Sequence, residues 1–267
     1  MKNIRNISKY LVFTGIVMAM ALNAVAQQMS EATAKVVRIK GSARYASANN
    51  VWQPLKVGDV LRVGAIIQTA SDSRVDLVLG EKDAVAKETK WGEVVSYQPQ
   101  AQQDFVRVWE NSVLSLDKLL VADTGTDKIR ETELNLRAGR VFGMVKKLNG
   151  ASKYEIKMPN AVAGIRGTIY TVSATGVVDV LVGSVVVAYM DANGQPVTQV
   201  VMGGQRFDAS TGQVTPIPEF EQKEMVKSTK EQTGPNVPPT TFVHDNTTYW
   251  VSPTQGFNGS GASSGNN

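Results

Sequence analysis

Residues 161–170, which read AVAGIRGTIY, decide the fold predicted for this chain. Gly164 and Gly167 bracket an isoleucine and an arginine. Two glycines at this spacing allow a tight turn or a close backbone approach because they carry no Cβ. The next residues, 168–172, are mostly β-branched or aromatic, which is typical of a strand. The stretch therefore predicts a turn that leads directly into a β-strand.

The residues after this stretch repeat the same alternation of short apolar runs and turns. Runs at 177–182, 184–190 and 197–202 are separated by Gly183 and by a loop at 191–196 that contains Asn-Gly. Short strands with glycine at the corners predict an all-β fold, either a solenoid-like roll or a compact sandwich. A similar pattern begins after about residue 134. This indicates two related halves and slightly favours the roll.

The residues before the central stretch are also predicted to form strands, with one interruption. In the segment 75–79, apolar residues alternate with Asp76, so we expect one buried face. Residues 80–104 read as an insert of mixed charge that contains Trp91 and Tyr97. It is predicted to be a β-hairpin that packs its aromatic residues onto the domain, or else an exposed contact for a glycan or a protein. Trp52 is predicted to be a core residue or a semi-exposed packing residue, with sugar stacking as the alternative.

The order of these segments resembles the FecR domain, which takes its name from the ferric-citrate regulator of bacteria. The stretch 161–172 resembles its central motif, and 58–69 (GDVLRVGAIIQT) resembles an earlier segment of that family. Residues 110–116 (ENSVLSL) and the Gly-Gly-Gln at 203–205 complete the resemblance, which covers residues 33–217. It implies protein–protein contact in the cell envelope or the sensing of an extracellular ligand.

Four residues of the central stretch are expected to be critical for the fold: Gly164, Arg166, Gly167 and Thr168. An arginine in a turn can cap several carbonyls or pair with one carboxylate. A carboxylate or phosphate ligand is the alternative for Arg166. The structural role is preferred because no further basic residue lies within the motif.

Residues 1–26 are predicted to be a secretory signal peptide. Lys2, Arg5 and Lys9 precede an apolar run at 11–22, and Ala-Val-Ala at 24–26 predicts cleavage after Ala26. The mature protein is then periplasmic or secreted, with no stable membrane span. An uncleaved membrane anchor is the alternative, although the apolar run is short for a span. In the regulator that names the family, a cytoplasmic segment binds a sigma factor. Only ten residues precede the apolar run here, so that role is not expected.

Composition excludes several classes of function. Removing the three basic residues of the signal peptide leaves 25 basic and 24 acidic residues, a net charge of +1. This balance predicts no nucleic-acid partner. The chain has no cysteine and a single histidine, His244, so neither a metal site nor another cofactor is predicted.

The sequence contains no convincing catalytic constellation. With one histidine there is no catalytic triad, and a carboxylate pair for glycoside hydrolysis is the best alternative. Asp59, Asp76, Glu110 and Glu155 are candidates by position, but all four read as turn caps or outward-facing strand residues. The chain is therefore predicted not to be an enzyme.

The C-terminal residues 218–267 are predicted to be a linker followed by a low-complexity tail. Residues 219–232 could form a short helix with too few apolar residues for a good stripe. Residues 242–251 could add one strand, and 252–267 are rich in Gly, Ser and Asn, which predicts disorder.

These observations predict a non-enzymatic exported binding or signalling module of the bacterial cell envelope, whose partner is an envelope protein or a glycan. The alternative is a structural envelope or matrix protein that associates with itself or binds glycan. A glycan-processing enzyme is the third hypothesis.

Overall fold

The computed structural model describes residues 29–47, 51–80, 87–91, 94–98, 104–125, 127–233, 240–244 and 247–251. The predicted signal peptide, its cleavage site and the predicted disordered segment 252–267 lie outside these residues. Strands dominate the described residues and form two large sheets, so the predicted all-β fold is confirmed.

The strands and the helix of the described residues follow one another along the chain. They are β1 (Ser30–Glu31), β2 (Thr33–Lys40), β3 (Ala43–Ala46), β4 (Trp52–Pro54), β5 (Val60–Leu61), β6 (Ile66–Thr69), β7 (Arg74–Gly80), β8 (Lys87–Trp91), β9 (Val94–Gln98), β10 (Asp104–Val108), β11 (Val113–Asp123), β12 (Lys128–Ala138), β13 (Arg140–Met144), β14 (Lys153–Lys157), β15 (Ala161–Ile165), β16 (Ile169–Ser173), β17 (Val177–Val182), β18 (Ser184–Met190), β19 (Pro196–Met202), β20 (Gln205–Asp208), β21 (Gln213–Pro216), α1 (Glu219–Thr233), β22 (Thr240–His244) and β23 (Thr247–Val251).

The two large sheets are built by a chain that passes repeatedly from one to the other. Sheet A has the order β19-β18-β15-β14-β12-β11-β6-β3-β4, with β1 paired to β11. Sheet B has the order β21-β20-β17-β16-β13-β10-β7-β2-β5. The chain therefore advances along both sheets in the same direction, as in a roll. The two sheets also enclose one core, as in a sandwich.

The main core lies between the inner faces of the two sheets. Fully buried residues from both sheets belong to one apolar cluster, among them Leu77, Val106, Val141, Leu114, Leu136 and Ile156. A second cluster lies on the other face of sheet B, where Val78, Phe105 and Phe142 meet Ile217 and Met225. Met225 belongs to α1, so the helix covers the outer face of sheet B.

The prediction of one buried face for the segment around Asp76 is wrong. All residues from Val75 to Leu79 are buried, because sheet A covers one face of β7 and the second apolar cluster lies on the other. Asp76 points towards α1 and is buried there, away from solvent.

Two corners of the fold have the same construction. In the first, Ser42 donates its amide N–H to the Ser73 hydroxyl oxygen at 2.9 Å, and Gly41 has a φ of +76°. In the second, Arg140 donates its amide N–H to the Ser112 hydroxyl oxygen at 2.9 Å, and the preceding Gly139 has a φ of +77°. Each serine follows a residue with a φ of 53°. The two corners share one glycine–serine contact, although the glycine precedes the serine in the first and follows it in the second.

The predicted insert leaves and re-enters sheet B between two adjacent strands, since β7 and β10 pair with each other. Within it, β8 and β9 form the predicted hairpin. β9 also pairs in parallel with β23, which pairs with β22. The segment 242–251 therefore contributes to two strands, and they join the insert's hairpin in a third sheet.

Candidate binding surfaces and a buried ion-pair network

A network of charged residues lies buried beneath α1 on the outer face of sheet B. Asp76 of β7 is fully buried and lies directly opposite Arg107 of β10. The Arg107 guanidinium donates to both carboxylate oxygens, from Nε at 2.7 Å and from Nη2 at 2.9 Å. From the neighbouring β2, Arg38 donates to Asp76 Oδ2 at 3.2 Å. Charge-assisted bonds of this two-pronged kind are among the strongest that side chains form.

The C-terminal half of α1 completes this network. Arg107 Nη1 donates to Glu231 at 2.7 Å and to the Ser228 hydroxyl at 3.2 Å. Gln232 donates from its side-chain amide to Asp76 Oδ2 at 3.2 Å. The helix is therefore tied to the sheet by polar bonds at buried positions, where water competes little.

The N-terminal half of α1 is tied to sheet B in the same way. Arg140 donates to Glu221 at 2.9 Å and forms an ion pair with Glu224 at 3.0 Å. Arg206 holds Asp179 through two bonds of 2.6 and 2.8 Å. Arg206 also lies 3.9 Å from the Glu221 carboxylate.

These contacts explain how a helix with few apolar residues packs on the domain. The predicted helix is present, but its inner face is lined mainly by polar residues spaced three or four apart: Glu221, Glu224, Ser228, Glu231 and Gln232. Such spacing places them on one face. A search for polar as well as apolar periodicity could have found this face from the sequence.

The charge of Asp76 is maintained by its partners. Burial alone raises the pKa of the Asp76 carboxyl, but Arg107 and Arg38 outweigh that effect and hold the pKa below its ordinary value. Burial lowers the pKa of Arg107, and Asp76 and Glu231 raise it by more. Asp76 and Arg107 are therefore both ionised at neutral pH.

The outer face of sheet A carries an apolar surface at the β19 end. We call it the uncharged face, and it consists of the outward side chains of β18 and β19: Val186, Ala188, Met190, Pro196, Thr198, Val200 and Met202. Neither strand contains a charged residue. The largest apolar side chains among them are between 47% and 56% exposed. Exposed apolar side chains grouped in this way are typical of interaction sites.

The centre of the same outer face is charged. Lys118 and Lys157 both contact Glu133, each at 2.9 Å. Hydrogen bonds from these two ammonium groups lower the pKa of Glu133 to about 2. The charged residues of sheet A are therefore paired with one another on the middle strands, and the uncharged face beyond β15 is set apart from them.

The free edge of β19 is partly occupied by two glutamines. Met202 donates its amide N–H to the Gln205 side-chain oxygen at 2.8 Å. Gln199 donates from its side-chain amide to the Val200 carbonyl at 2.7 Å. Since these backbone groups already have partners, the addition of another strand at this point is hindered. The face of these strands remains available to a partner.

A second surface lies at the opposite edge of sheet A and includes Trp52. The indole is 41% exposed, and the Arg44 guanidinium carbon lies 4.6 Å from its ring centroid. Trp52 is therefore an exposed aromatic residue at this edge. Trp91 and Tyr97 belong to β8 and β9, and their side chains lie outside the described part of the chain.

The four residues of the central motif occupy different environments. Gly167 has a φ of +72°, and a Cβ here would lie 2.9 Å from the Lys147 Cα. The Thr168 hydroxyl is buried and donates to the Ser184 carbonyl at 2.8 Å. Gly164 lies within β15, where a Cβ would meet only ordinary contacts. Arg166 is exposed.

Three of the four carboxylates considered for catalysis have simple structural partners. Asp59 accepts the Lys56 amide N–H at 2.8 Å, and Glu110 accepts that of Asp72 at 2.7 Å. Glu155 pairs with Lys153 at 3.0 Å. The fourth, Asp76, was interpreted as facing outward, and this is wrong because it is buried beneath α1.

Two further observations concern metal binding and membrane crossing in the described part of the chain. Its histidine and acidic side chains form no group of three that could hold a metal ion. Among these residues there is also no helix with the length and apolar character needed to cross a membrane.

Comparison with known proteins shows what this chain is similar to. No curated protein matches the sequence. Two crystal structures of a candidate anti-sigma factor from Parabacteroides distasonis ATCC 8503 are similar to this chain. One is 12% identical and covers 72% of this chain and 99% of its own, with a TM-score of 0.35. The other is 10% identical to this chain, with a TM-score of 0.31. The match covers 64% of this chain and 96% of the solved chain. Residues 89–186 match the model of the family described as FecR protein, which bears out the resemblance seen in the sequence.

Proposed function

We propose that this chain is a non-enzymatic binding and signalling module of the bacterial cell envelope that acts through protein–protein contact. The FecR domain supports a regulatory or signalling role. The signal-peptide pattern of residues 1–26 supports export to the periplasm or the cell exterior. The partner is an envelope protein whose contact surface is apolar and uncharged.

The observation that carries this proposal is the uncharged face at the end of sheet A. A charged partner surface would lose water there without gaining an ion pair, which is costly. A second copy adding its β19 to the edge is disfavoured, because Gln199 and Gln205 already bond to Val200 and Met202. The partner therefore lies on the face of β18 and β19, with Val200 near the middle of the contact.

The proposal predicts that Val200→Lys abolishes partner binding without unfolding the domain. The position is 51% exposed, so a lysine can remain in water in the free protein. In the complex its charge would be buried without a partner, and we expect at least a tenfold loss of affinity. Gln213→Lys is the matched control, since it adds the same charge at an exposed position of β21 in sheet B.

The measurement is quantitative recovery of partners after chemical crosslinking of intact source cells that express each full-length variant. We expect one envelope protein to be recovered with the wild type and with Gln213→Lys and to be lost with Val200→Lys. Equal recovery of that envelope protein with the wild type and both variants would refute the uncharged face as the contact. Recovery only of crosslinked copies of this chain would support the structural, self-associating alternative instead.

A further inference from the structure

A cleft of about 440 Å³ opens at the β4 edge of sheet A, the edge opposite to β19. Clefts of about 300–1,000 Å³ are typical of sites for small ligands. This one is formed by β3, β4 and β6 and the turns beside them. Its lining residues are Ser42, Ala43, Arg44, Trp52, Gln53, Pro54, Gln68, Thr69 and Ala70.

Arg44 and Trp52 give the cleft its chemistry, and each contacts the other. Arg44 donates from Nε to the Gln68 side-chain oxygen at 2.8 Å, and its guanidinium stacks on the Trp52 ring. Gln68 of β6 lies directly opposite Arg44, whereas Trp52 of β4 lies opposite Ala46 and is therefore a diagonal neighbour of Arg44. The Nε bond uses one nitrogen of the guanidinium, which has two further nitrogens that can donate.

The lining determines which ligand the cleft would accept. No carboxylate lines it, and Arg44 supplies the single formal charge. A cationic ligand is therefore disfavoured, and an anion is favoured. The indole offers an apolar surface on which the C–H face of a sugar ring can stack, and the amides of Gln53 and Gln68 can bond to hydroxyl groups. A sugar ring that carries a carboxylate satisfies all three features, and the volume suits one or two such rings.

We propose that this cleft binds an acidic saccharide, with Trp52 stacking against a sugar ring and Arg44 pairing with its carboxylate. This site is separate from the protein contact proposed above, because β4 and β19 are the two opposite edges of sheet A. One chain could therefore hold an envelope glycan at one edge and a protein at the other.

The test is calorimetric titration of the exported protein, from residue 27, with three disaccharides. Two are acidic, namely digalacturonate and N-acetylglucosaminyl-N-acetylmuramic acid, and the neutral chitobiose is the reference. We expect binding of at least one acidic disaccharide at least tenfold tighter than chitobiose. The acidic disaccharide that binds more tightly distinguishes a polyuronate source from a peptidoglycan source.

Two variants and a control separate the roles of the residues. Trp52→Ala should lower the affinity for every saccharide at least tenfold. Arg44→Gln should lower the affinity for the acidic disaccharide to that for chitobiose. Phe220→Ala removes an aromatic ring that is 75% exposed on α1 and should change nothing. Thermal unfolding should be the same for all, since Arg44 and Trp52 are exposed. The proposal is overturned if the wild type binds neither acidic disaccharide at millimolar concentration, or if Trp52→Ala and Arg44→Gln bind as the wild type does.

Discussion

Replacing Asp76 with alanine is expected to lower the free energy of unfolding by about 3–5 kcal/mol, the typical cost of removing one partner from a buried ion pair. The carboxylate is fully buried and accepts hydrogen bonds from Arg107, Arg38 and Gln232. Without it, two buried guanidinium groups lose their shared counter-ion. Such a loss is more costly than the loss of the attraction itself, because the remaining charges stay out of water. The measurement is equilibrium unfolding in urea at pH 7.

The control for this prediction is Glu155→Gln. Glu155 pairs with Lys153 at 3.0 Å, but the lysine is 53% exposed and water screens the pair. We expect a change of at most about 1 kcal/mol, as for other surface ion pairs. If Asp76→Ala cost no more than Glu155→Gln, the buried network would not be what ties α1 to the sheet.

The contribution of Asp76 should also depend on pH in a defined direction. Its pKa in the folded chain lies below the ordinary value of 3.8, so the folded state binds its proton less readily than the unfolded state does. The stabilisation is therefore complete above about pH 4 and is lost as the pH falls through the folded pKa. We expect the stability difference between wild type and Asp76→Ala to be constant from pH 6 to pH 7 and to narrow in stronger acid. A difference that widened below pH 4 would contradict this assignment.

Gly167→Val is expected to lower the free energy of unfolding by more than about 2 kcal/mol. The φ of +72° is unfavourable for a β-branched residue. Its Cβ would also approach the Lys147 Cα to 2.9 Å, and neither backbone segment can move easily. The two costs act together, since relieving the contact requires a shift of the turn that sets φ. Thermal unfolding followed by circular dichroism measures the effect.

Gly164→Val in the same motif is the matched control. Gly164 does not have a positive φ, and the nearest atom to its Cβ would be the Val186 carbonyl oxygen at 3.6 Å, an ordinary contact. Valine is also favourable in a strand such as β15. We expect a stability within about 1 kcal/mol of wild type. Equal destabilisation by both substitutions would show that the motif tolerates no side chain at either glycine, whatever its backbone conformation.

The short-range features of the fold could be predicted from the sequence because they depend on neighbouring residues. Glycine spacing and β-branched runs predicted strands and corners, and the insert between β7 and β10 was recognised as a hairpin. The helix was also expected. The choice between roll and sandwich could not be made, because it depends on which strands pair across long stretches of the chain.

The buried network could not be predicted for a related reason. Its centre requires Arg38, Asp76 and Arg107 to be neighbours on β2, β7 and β10. It also requires α1 to cover them, although the helix begins more than a hundred residues after β10. Alternation alone assigns an aspartate in an apolar strand to the solvent side. The sequence contains two neighbouring apolar runs without a charged residue, which become β18 and β19. The exposure of this uncharged face follows only from the position of β19 at an edge of the sheet.

The most direct test of the proposed function is site-specific photo-crosslinking in the source cells. A photoreactive amino acid replaces Val200 in one variant and Lys153, an exposed residue in the charged part of sheet A, in the other. We predict one covalent adduct between position 200 and a single envelope protein, and no such adduct from position 153. The same adducts from both positions, or none from position 200, would contradict a specific protein contact on the uncharged face.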